Sequence, residues 1–247
     1  MLAILALAAC AIGIIGGATS LGGVLLIPLL VFLSGLNTHE AMATALFSFF
    51  FAGLLSTYFF QKRGSMDWKI TAPVCIGSLV SGYLGAMAGA DFSAGTLQLA
   101  LSAIIVVPSV ISFFPALTTN VAGSLGNRGN TVLLLAVGLF VGFICGMTGA
   151  GGGIIALPLL LILGYPALAS IGTGQILACS IALSGSISNF SNGFIDFPIA
   201  ALLAVCSISG SFLGVRLVHS LPLPLVKKGV TLLCIATGLF IAVRVFV

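Results

Sequence analysis

The sequence has very little charge. Charged residues make up 5% of the 247 positions, with eight Lys or Arg and four Asp or Glu, whereas 60% of the residues are hydrophobic. A water-facing surface needs charged groups at about a quarter to a third of its positions, so a soluble globular protein is excluded. Intrinsic disorder is excluded as well, because it requires low hydrophobicity and high charge. The sequence therefore indicates a protein that is solvated by lipid.

Several other signals are missing. The strict alternation of apolar and polar residues that marks outer-membrane β-barrel strands is absent, because segments 21–33 and 132–145 are apolar on every face. The bases stand singly or in pairs, which leaves no basic patch for nucleic acid. The six cysteines lie in apolar runs without the spacing of a metal site. We predict an all-α polytopic membrane protein with no nucleic-acid partner, no metal and no cofactor.

Internal similarity indicates a duplicated unit. The Gly-Gly, Pro-Leu-Leu and Gly-x-x-Asp-aromatic blocks of the first half recur in the second half in the same order. We predict a first repeat over 1–115, a linker over 116–130 and a second repeat over 131–247. The paired positions are Gly22/Gly152, Gly23/Gly153, Pro28/Pro158, Gly35/Gly164, Thr44/Thr173, Gly64/Gly193 and Asp67/Asp196.

Eight apolar runs follow from the hydropathy pattern, and six of them suit one membrane crossing of about 20 residues. The first run of each half is much longer and is interrupted by Gly-rich sequence. We predict that each long run forms a re-entrant segment with two arms of about 15 residues, because irregular backbone is tolerated at membrane depth only inside protein or beside a cavity. The runs are 2–34, 41–61, 70–89, 96–114, 131–163, 167–188, 198–217 and 225–247.

The distribution of bases tests this topology. If each long run re-enters, each half crosses three times, the two repeats are inverted, and seven of the eight bases lie on one side with Arg244 opposite. If each long run crosses once, the division is five to three. The positive-inside rule favours the first arrangement, with both termini outside the cytoplasm. Two short full crossings per long run give the same distribution, so that alternative stays open.

The two Gly-rich bends are the strongest candidate site. A helix that begins at membrane depth presents unpaired N–H groups and the positive end of its dipole, which can bind an anion without Lys or Arg. Paired broken segments in two repeats are typical of a transporter's midplane site. The alternative is close helix packing through small residues. The candidate residues are Thr19, Ser20, Gly22 and Gly23 in the first bend, and Thr148, Gly151, Gly152 and Gly153 in the second.

Polar residues on neighbouring helices could complete this site. Thr44 and Thr173 are repeat partners, so we expect them to approach a shared cavity from symmetric directions. Gln175 is the strongest candidate donor to the substrate, because a buried amide in an apolar bundle is costly unless it is paired. The alternative for Ser and Thr is a hydrogen bond to their own helix. The further candidates are Ser48, Ser180 and Ser184.

The four acids are predicted to lie at helix ends. Asp67, Asp91 and Asp196 precede apolar runs and are interpreted as N-caps. His39 and Glu40 could relay a proton, but helix capping is the favoured interpretation. No ionisable residue falls clearly within the membrane, so the sequence shows no proton pathway and leaves proton coupling open.

The duplicated pattern resembles the sulfite exporter TauE/SafE family. The resemblance rests on GGATSLGGVLLIPLL (16–30) and GMTGAGGGIIALPLL (146–160), supported by the Gly-Thr-Gly at 172–174. It implies a multi-pass transporter of the bacterial inner membrane that exports sulfite or an organosulfonate by alternating access. The exact anion, the coupling ion and the oligomeric state stay open.

Two other functions are alternatives. A passive anion channel would use the same fold and differ only in gating. An intramembrane serine hydrolase would combine Ser184 or Ser186 with His39 or His219, but both histidines lie near segment ends whereas the serines lie in a helix interior. We therefore predict that the protein is not an enzyme.

Overall fold

The computed structural model describes residues 2–89, 94–113, 126–191 and 193–246. All regular secondary structure in these ranges is α-helical, which confirms the predicted class. The helices are α1 (Leu2–Thr19), α2 (Gly22–Ser34), α3 (Thr38–Lys62), α4 (Trp68–Gly89), α5 (Ala94–Phe113), α6 (Asn127–Thr148), α7 (Gly153–Ile162), α8 (Ala167–Ser191), α9 (Phe197–Ser220) and α10 (Leu223–Phe246).

Seven helices within the described ranges are long and apolar enough to span a membrane, namely α1, α3, α4, α6, α8, α9 and α10. The described apolar stretches of α2, α5 and α7 are shorter than a membrane span. The first arm of each broken run is therefore long enough to cross, and only its return arm is short.

Both breaks lie inside the predicted Gly-rich bends, but they do not divide the long runs into equal arms. The arms contain 18 and 13 residues in the first half, and 22 and 10 in the second. The prediction of two arms of equal length is wrong. Gly17 and Gly146 stay inside helices because they serve packing: a Cβ at Gly17 would overlap the backbone of Ser211, and one at Gly146 would overlap that of Gly82.

Two parallel helix pairs join the halves through small residues. Along α1 and α9, Gly13 lies against Ser207 and Gly17 against Ser211, so residue numbers rise together and the helices are parallel. The pair formed by α4 and α6 is built the same way, with Gly89 against Met147. Such residues let helix backbones approach closely in a membrane.

Helices α3 and α8, which are partners in the predicted repeat, run antiparallel. Leu46 approaches Gly185, whereas Phe60, later in α3, approaches Gly172, which is earlier in α8. Helix α3 is parallel to α9, since Phe47 meets Phe197 and Phe59 meets Phe212, with ring centroids 5.8 and 5.2 Å apart.

These directions define two ends of the bundle. Helices α3 and α9 end, and α4, α6 and α10 begin, at the same end, which we call the basic end. It carries the seven bases that the topology prediction places on one side: Lys62, Arg63, Lys69, Arg128, Arg216, Lys227 and Lys228.

Short turns between helices follow the repeat. Gly64 and Gly193 both adopt left-handed backbone, with φ of 66° and 70°. Asp67 and Asp196 then cap the next helices, accepting from backbone N–H groups at 2.9 and 3.0 Å. Glu40 forms a capping box with Asn37, so the predicted capping roles of Glu40, Asp67 and Asp196 are confirmed.

Two other predictions fall partly or wholly outside the described ranges. Asp91 is one of them. The other is most of the linker, although α6 already begins at Asn127, inside the predicted linker 116–130.

The two bends occupy the centre of the bundle. Leu21 and Ala150, at the bends, are fully buried. Helix α8 is the most enclosed of the seven spanning helices. In its apolar segment 78% of the residues are buried, compared with 33% in those of α1 and α10. Polar groups of the bends and of α8 are therefore held away from lipid.

Candidate functional site

The two bends meet at backbone distance. A Cβ added at Gly23 would lie 2.9 Å from the carbonyl oxygen of Ala150. One added at Gly153 would overlap the side chain and the carbonyl of Ser20. The glycines therefore let the first turn of α2 pack on the second bend and the first turn of α7 pack on the first bend, so part of the packing interpretation of the Gly-rich sequence holds.

The helices that precede the bends end in the same way. The hydroxyls of Thr19 and Thr148 donate to the carbonyls of Ile15 and Ile144, at 2.6 and 2.8 Å. The next residues, Ser20 and Gly149, both have left-handed backbone, with φ of 64° and 65°. Ser20 is the only non-glycine with positive φ in the described ranges. This conformation costs an L-residue about 1 to 2 kcal/mol.

The hydroxyl of Ser20 has no hydrogen-bond partner within the described residues. Its side chain is only 6% exposed. Buried hydroxyls within helices can donate to a carbonyl one turn back, but the left-handed turn removes that partner. Leaving a buried donor unpaired costs about 1 to 3 kcal/mol. A bound ligand that accepted from this hydroxyl would remove that cost.

A small cavity lies at this point. Its volume admits about one water molecule, and the ring of Phe49 rests against Gly22 at one wall. A larger ligand requires that wall to move. Among the residues that the structure describes, none of those lining the cavity is charged; they are Gly16, Ser20, Gly22, Gly23, Phe49, Gly53, Gly151, Gln175 and Ala178.

The N-termini of α2 and α7 lack side-chain caps. The N-cap residues Leu21 and Gly152 make no side-chain hydrogen bond to the first turn. The first N–H groups of a helix have no partner within that helix. Both helix starts therefore supply donors and the positive end of a dipole beside the cavity.

Gln175 fastens α8 to the end of α1. Its amide nitrogen donates to the carbonyl oxygens of Gly16 and Gly17, at 2.8 and 3.1 Å. These carbonyls belong to the last turn of α1 and carry the negative end of its dipole. The amide covers them, so Gln175 lines the cavity but uses both hydrogens on the protein. Donation from Gln175 to a substrate, which the sequence predicts, stays a prediction.

Thr44 and Thr173 are not brought together. The Thr44 hydroxyl accepts from the backbone N–H of Asp196 at 3.1 Å, and the Thr173 hydroxyl pairs with Thr71 at 2.9 Å. Because α3 and α8 are antiparallel, the two threonines lie toward opposite ends of this helix pair. Our expectation that they converge on one cavity is wrong.

The other hydroxyl candidates follow the helix-backbone alternative. Ser48, Ser180 and Ser184 donate to the carbonyls of Ala45, Ile176 and Ser180, at 2.8 to 3.0 Å. His219 contacts Ser65 instead, at 3.0 Å. The arrangement of serine and histidine considered for a hydrolase is therefore not formed.

Four residues that line the cavity are not among the candidates from the sequence, and one of them, Gly16, lies within the predicted first bend. Phe49 is one of 18 phenylalanines and belongs to no motif. Ala178 lies in a helix of small residues. Of the other three, Gly53 carried the only usable signal, because a glycine inside an apolar helix indicates a close neighbour, here the Sγ of Cys179, 2.7 Å from its Cβ position.

The two ends of the bundle differ. At the end opposite the basic end, a small cavity is lined by residues that include Ala43, Asn189 and Phe194. Their partners in the repeat are Gly172, Phe60 and Ser65. There the fully buried ring of Phe60 packs on Gly172 and meets the ring of His219 with centroids 4.7 Å apart. The corresponding space at the basic end is thus filled by Phe60.

Comparison with known proteins fits this architecture. The family model described as "Sulfite exporter TauE/SafE" matches residues 4–241. The chain belongs to the TauE/SafE sulfite exporter family. Two relatives of this TauE/SafE protein match over most of their length. A probable membrane transporter protein of Methanocaldococcus jannaschii is 26% identical over 83% of this chain and 82% of its own.

The second relative is the probable membrane transporter protein YdhB of Bacillus subtilis, 25% identical over 93% of this chain and 96% of its own. No solved structure matches significantly. Family and relatives identify a membrane transporter rather than an enzyme. With the seven apolar helices of the described ranges, they support a multi-pass bacterial membrane protein, as predicted.

Proposed function

We propose that this TauE/SafE protein exports a small sulfur-containing anion, sulfite or an organosulfonate, by alternating access. The observation that carries the proposal is the unpaired, buried hydroxyl of Ser20 beside the uncapped starts of α2 and α7. Donors without a basic side chain suit an anion that has to be released again. In this proposal Gln175 positions the bend and shields the anion from the carbonyls of α1.

The charge at the site favours a monovalent anion. Each helix start contributes at most about half a positive charge, and no lining residue adds a full charge. Hydrogen sulfite or a sulfonate is balanced by two such helix starts. Sulfate and other dianions would keep uncompensated charge in a low-dielectric interior, which is costly.

Alternating access through two inverted repeats is the proposed mechanism. The antiparallel course of the repeat partners α3 and α8 supports inversion. We place the basic end in the cytoplasm by the positive-inside rule. With Phe60 filling the path at that end and a cavity at the other, this conformation is closed toward the cytoplasm.

The proposal assigns no proton-binding group to the central cavity. The described residues that line it include no carboxylate or imidazole. His39 lines the cavity at one end and His219 packs on Phe60 at the other. In this proposal a coupled proton would bind at one of these two ends or on the anion itself.

The decisive experiment measures binding and flux together. Thermal unfolding of purified protein is followed with sulfite, methanesulfonate, thiosulfate and sulfate. We expect sulfite and methanesulfonate to stabilise most, by about 2.7 kcal/mol at a hundredfold excess over Kd. Stabilisation by none of the four would contradict the proposal. In proteoliposomes, accumulation against a gradient separates an exporter from a passive anion channel.

A further inference from the structure

A basic cavity lies between the last turns of α3 and α9, at the basic end. Its lining consists of Phe59, Lys62, Arg63, Phe212, Val215 and Arg216. Three of these six residues are cationic and none is acidic. The basic cavity is separate from the central site, whose lining shares no residue with it.

Aromatic rings hold two of the cations in place. The guanidinium of Arg216 stacks over Phe212 at 4.3 Å from the ring centroid. The ammonium of Lys62 lies over Tyr58 at 5.9 Å. Contacts of this type fix the direction of a cationic side chain. Phe59 and Phe212 pack edge to face and form an apolar floor beneath the charges.

The floor continues into an apolar surface along the bundle. Leu54 and Tyr58, on the turns of α3 that precede Lys62, are 48% and 56% exposed. Leu213, one turn before Arg216 on α9, is 51% exposed. In a membrane-spanning bundle, exposed apolar side chains at this depth face lipid. The basic cavity therefore presents cations at the headgroup level, with apolar side chains below them.

We propose that this cavity binds the phosphate headgroup of an anionic phospholipid in the cytoplasmic leaflet. The phosphate would lie among Lys62, Arg63 and Arg216, and the acyl chains would follow Tyr58 and Leu213. Basic pockets between transmembrane helices on the cytoplasmic side take headgroups in this way. The positive-inside rule accounts for bases at this end but not for their convergence over an aromatic floor. Lys227 and Lys228 share the end and lie outside the cavity.

The test compares thermal unfolding of delipidated protein with added phosphatidylglycerol and with added phosphatidylcholine. We expect phosphatidylglycerol alone to raise Tm, and the triple variant Lys62→Gln/Arg63→Gln/Arg216→Gln to lose most of that increase. Each neutralised base should weaken lipid association about fivefold. The matched control, Lys227→Gln/Lys228→Gln, removes two bases from the same end and should keep the increase.

Three results would overturn the proposal. The triple variant could keep the full increase in Tm, or phosphatidylcholine could raise Tm as much as phosphatidylglycerol. The control pair could also lose as much of the increase as the triple variant, which would mean a general attraction of lipid to the basic end. Sulfite and inorganic phosphate are tested alone as a further arm. If either raises Tm in the wild type and not in the triple variant, the cavity takes a free anion. Phe212→Leu, which removes only the stacking ring, should weaken phosphatidylglycerol binding without neutralising a charge.

Discussion

The amide of Gln175 donates to the carbonyl of Gly16 at 2.8 Å, although the two residues are far apart in the sequence. With the second bond to Gly17, it ties the most enclosed helix to the last turn before the first bend. This contact covers the partial negative charge of the Gly16 and Gly17 carbonyl oxygens. The N–H groups at the starts of α2 and α7 are then the polar backbone groups left for a ligand in the proposed site.

Gln175→Ala should lower both thermal stability and anion affinity. The uncovered carbonyls lose two hydrogen bonds, which costs about 1 to 3 kcal/mol, and they then repel the anion. Gln175→Glu should lower thermal stability and anion affinity further at pH 7, because a carboxylate cannot donate to a carbonyl. Unfolding and isothermal sulfite binding measure the two effects. An unchanged Tm with weakened binding would instead mean that the amide donates to the anion.

Ser20→Gly should weaken anion binding without harming the fold. Glycine adopts the φ of 64° freely, so the variant removes only the hydroxyl. Losing one donor to an anion costs about 1 to 3 kcal/mol, or roughly 5- to 150-fold in Kd. The matched control is Ser207→Ala, another buried hydroxyl without a partner among the described residues and outside the cavity. Equal effects of the two variants on sulfite Kd would contradict the assignment.

The glycines of the second bend should differ in tolerance. A Cβ at Gly153 would overlap Ser20, including its backbone, whereas one at Gly152 would meet the ends of the Leu177 and Ile181 side chains, at 2.6 and 2.9 Å. We expect Gly153→Ala to abolish transport and lower Tm, and Gly152→Ala to retain most of both. Sulfite flux and unfolding are the measurements, and equal tolerance at both positions would be the contrary result.

Phe60→Ala should make the transporter leak. The ring is fully buried near the basic end, and in the proposed mechanism it closes the path there, so we expect its truncation to open a route toward the central cavity. We expect faster passive efflux of methanesulfonate from proteoliposomes, down its own concentration gradient and without an imposed ion gradient. Phe59→Ala is the neighbouring control. Since truncation of a buried Phe costs about 3 to 5 kcal/mol, Phe60→Leu provides a milder variant. A folded Phe60→Leu protein with no extra leak would count against Phe60 as a gate.

Both termini should face away from the cytoplasm. Seven bases lie at one end of the bundle, opposite the end where α1 begins, and the positive-inside rule places that end inside. Reporter fusions at the C-terminus measure this directly. Active alkaline phosphatase with dark green fluorescent protein is the expected pair of results, and the reverse pair would refute the inverted topology.

Helix positions were predictable because hydropathy and capping are local. The apolar run 70–89 became α4 over Trp68–Gly89, and Asp196 caps α9 as expected. The unequal arms were not predictable from glycine content alone. Gly17 and Gly146 look like breaks in the sequence, but tertiary contact with α9 and α4 keeps them helical.

The candidate site was predictable in its backbone and not in its side-chain partners. Paired Gly-rich stretches located both bends. The partners of Thr44, Thr173 and Gln175 depend on how distant helices are paired and on their direction, which no local pattern encodes. Ser20 was a candidate through its place in the Gly-rich bend, but its left-handed backbone and its unpaired hydroxyl could not be predicted from the sequence.

In the proposed alternating-access cycle, the close contacts between parallel helices determine which helices move together. Because α1 is locked to α9 and α4 to α6 by near-contact of their backbones, each broken segment is carried by a helix of the other half. In that proposal each moving body contains helices from both halves of the chain. We expect a shear between the two bodies to displace the start of α2 against the start of α7, so that a change of access would also change the spacing of the proposed anion donors.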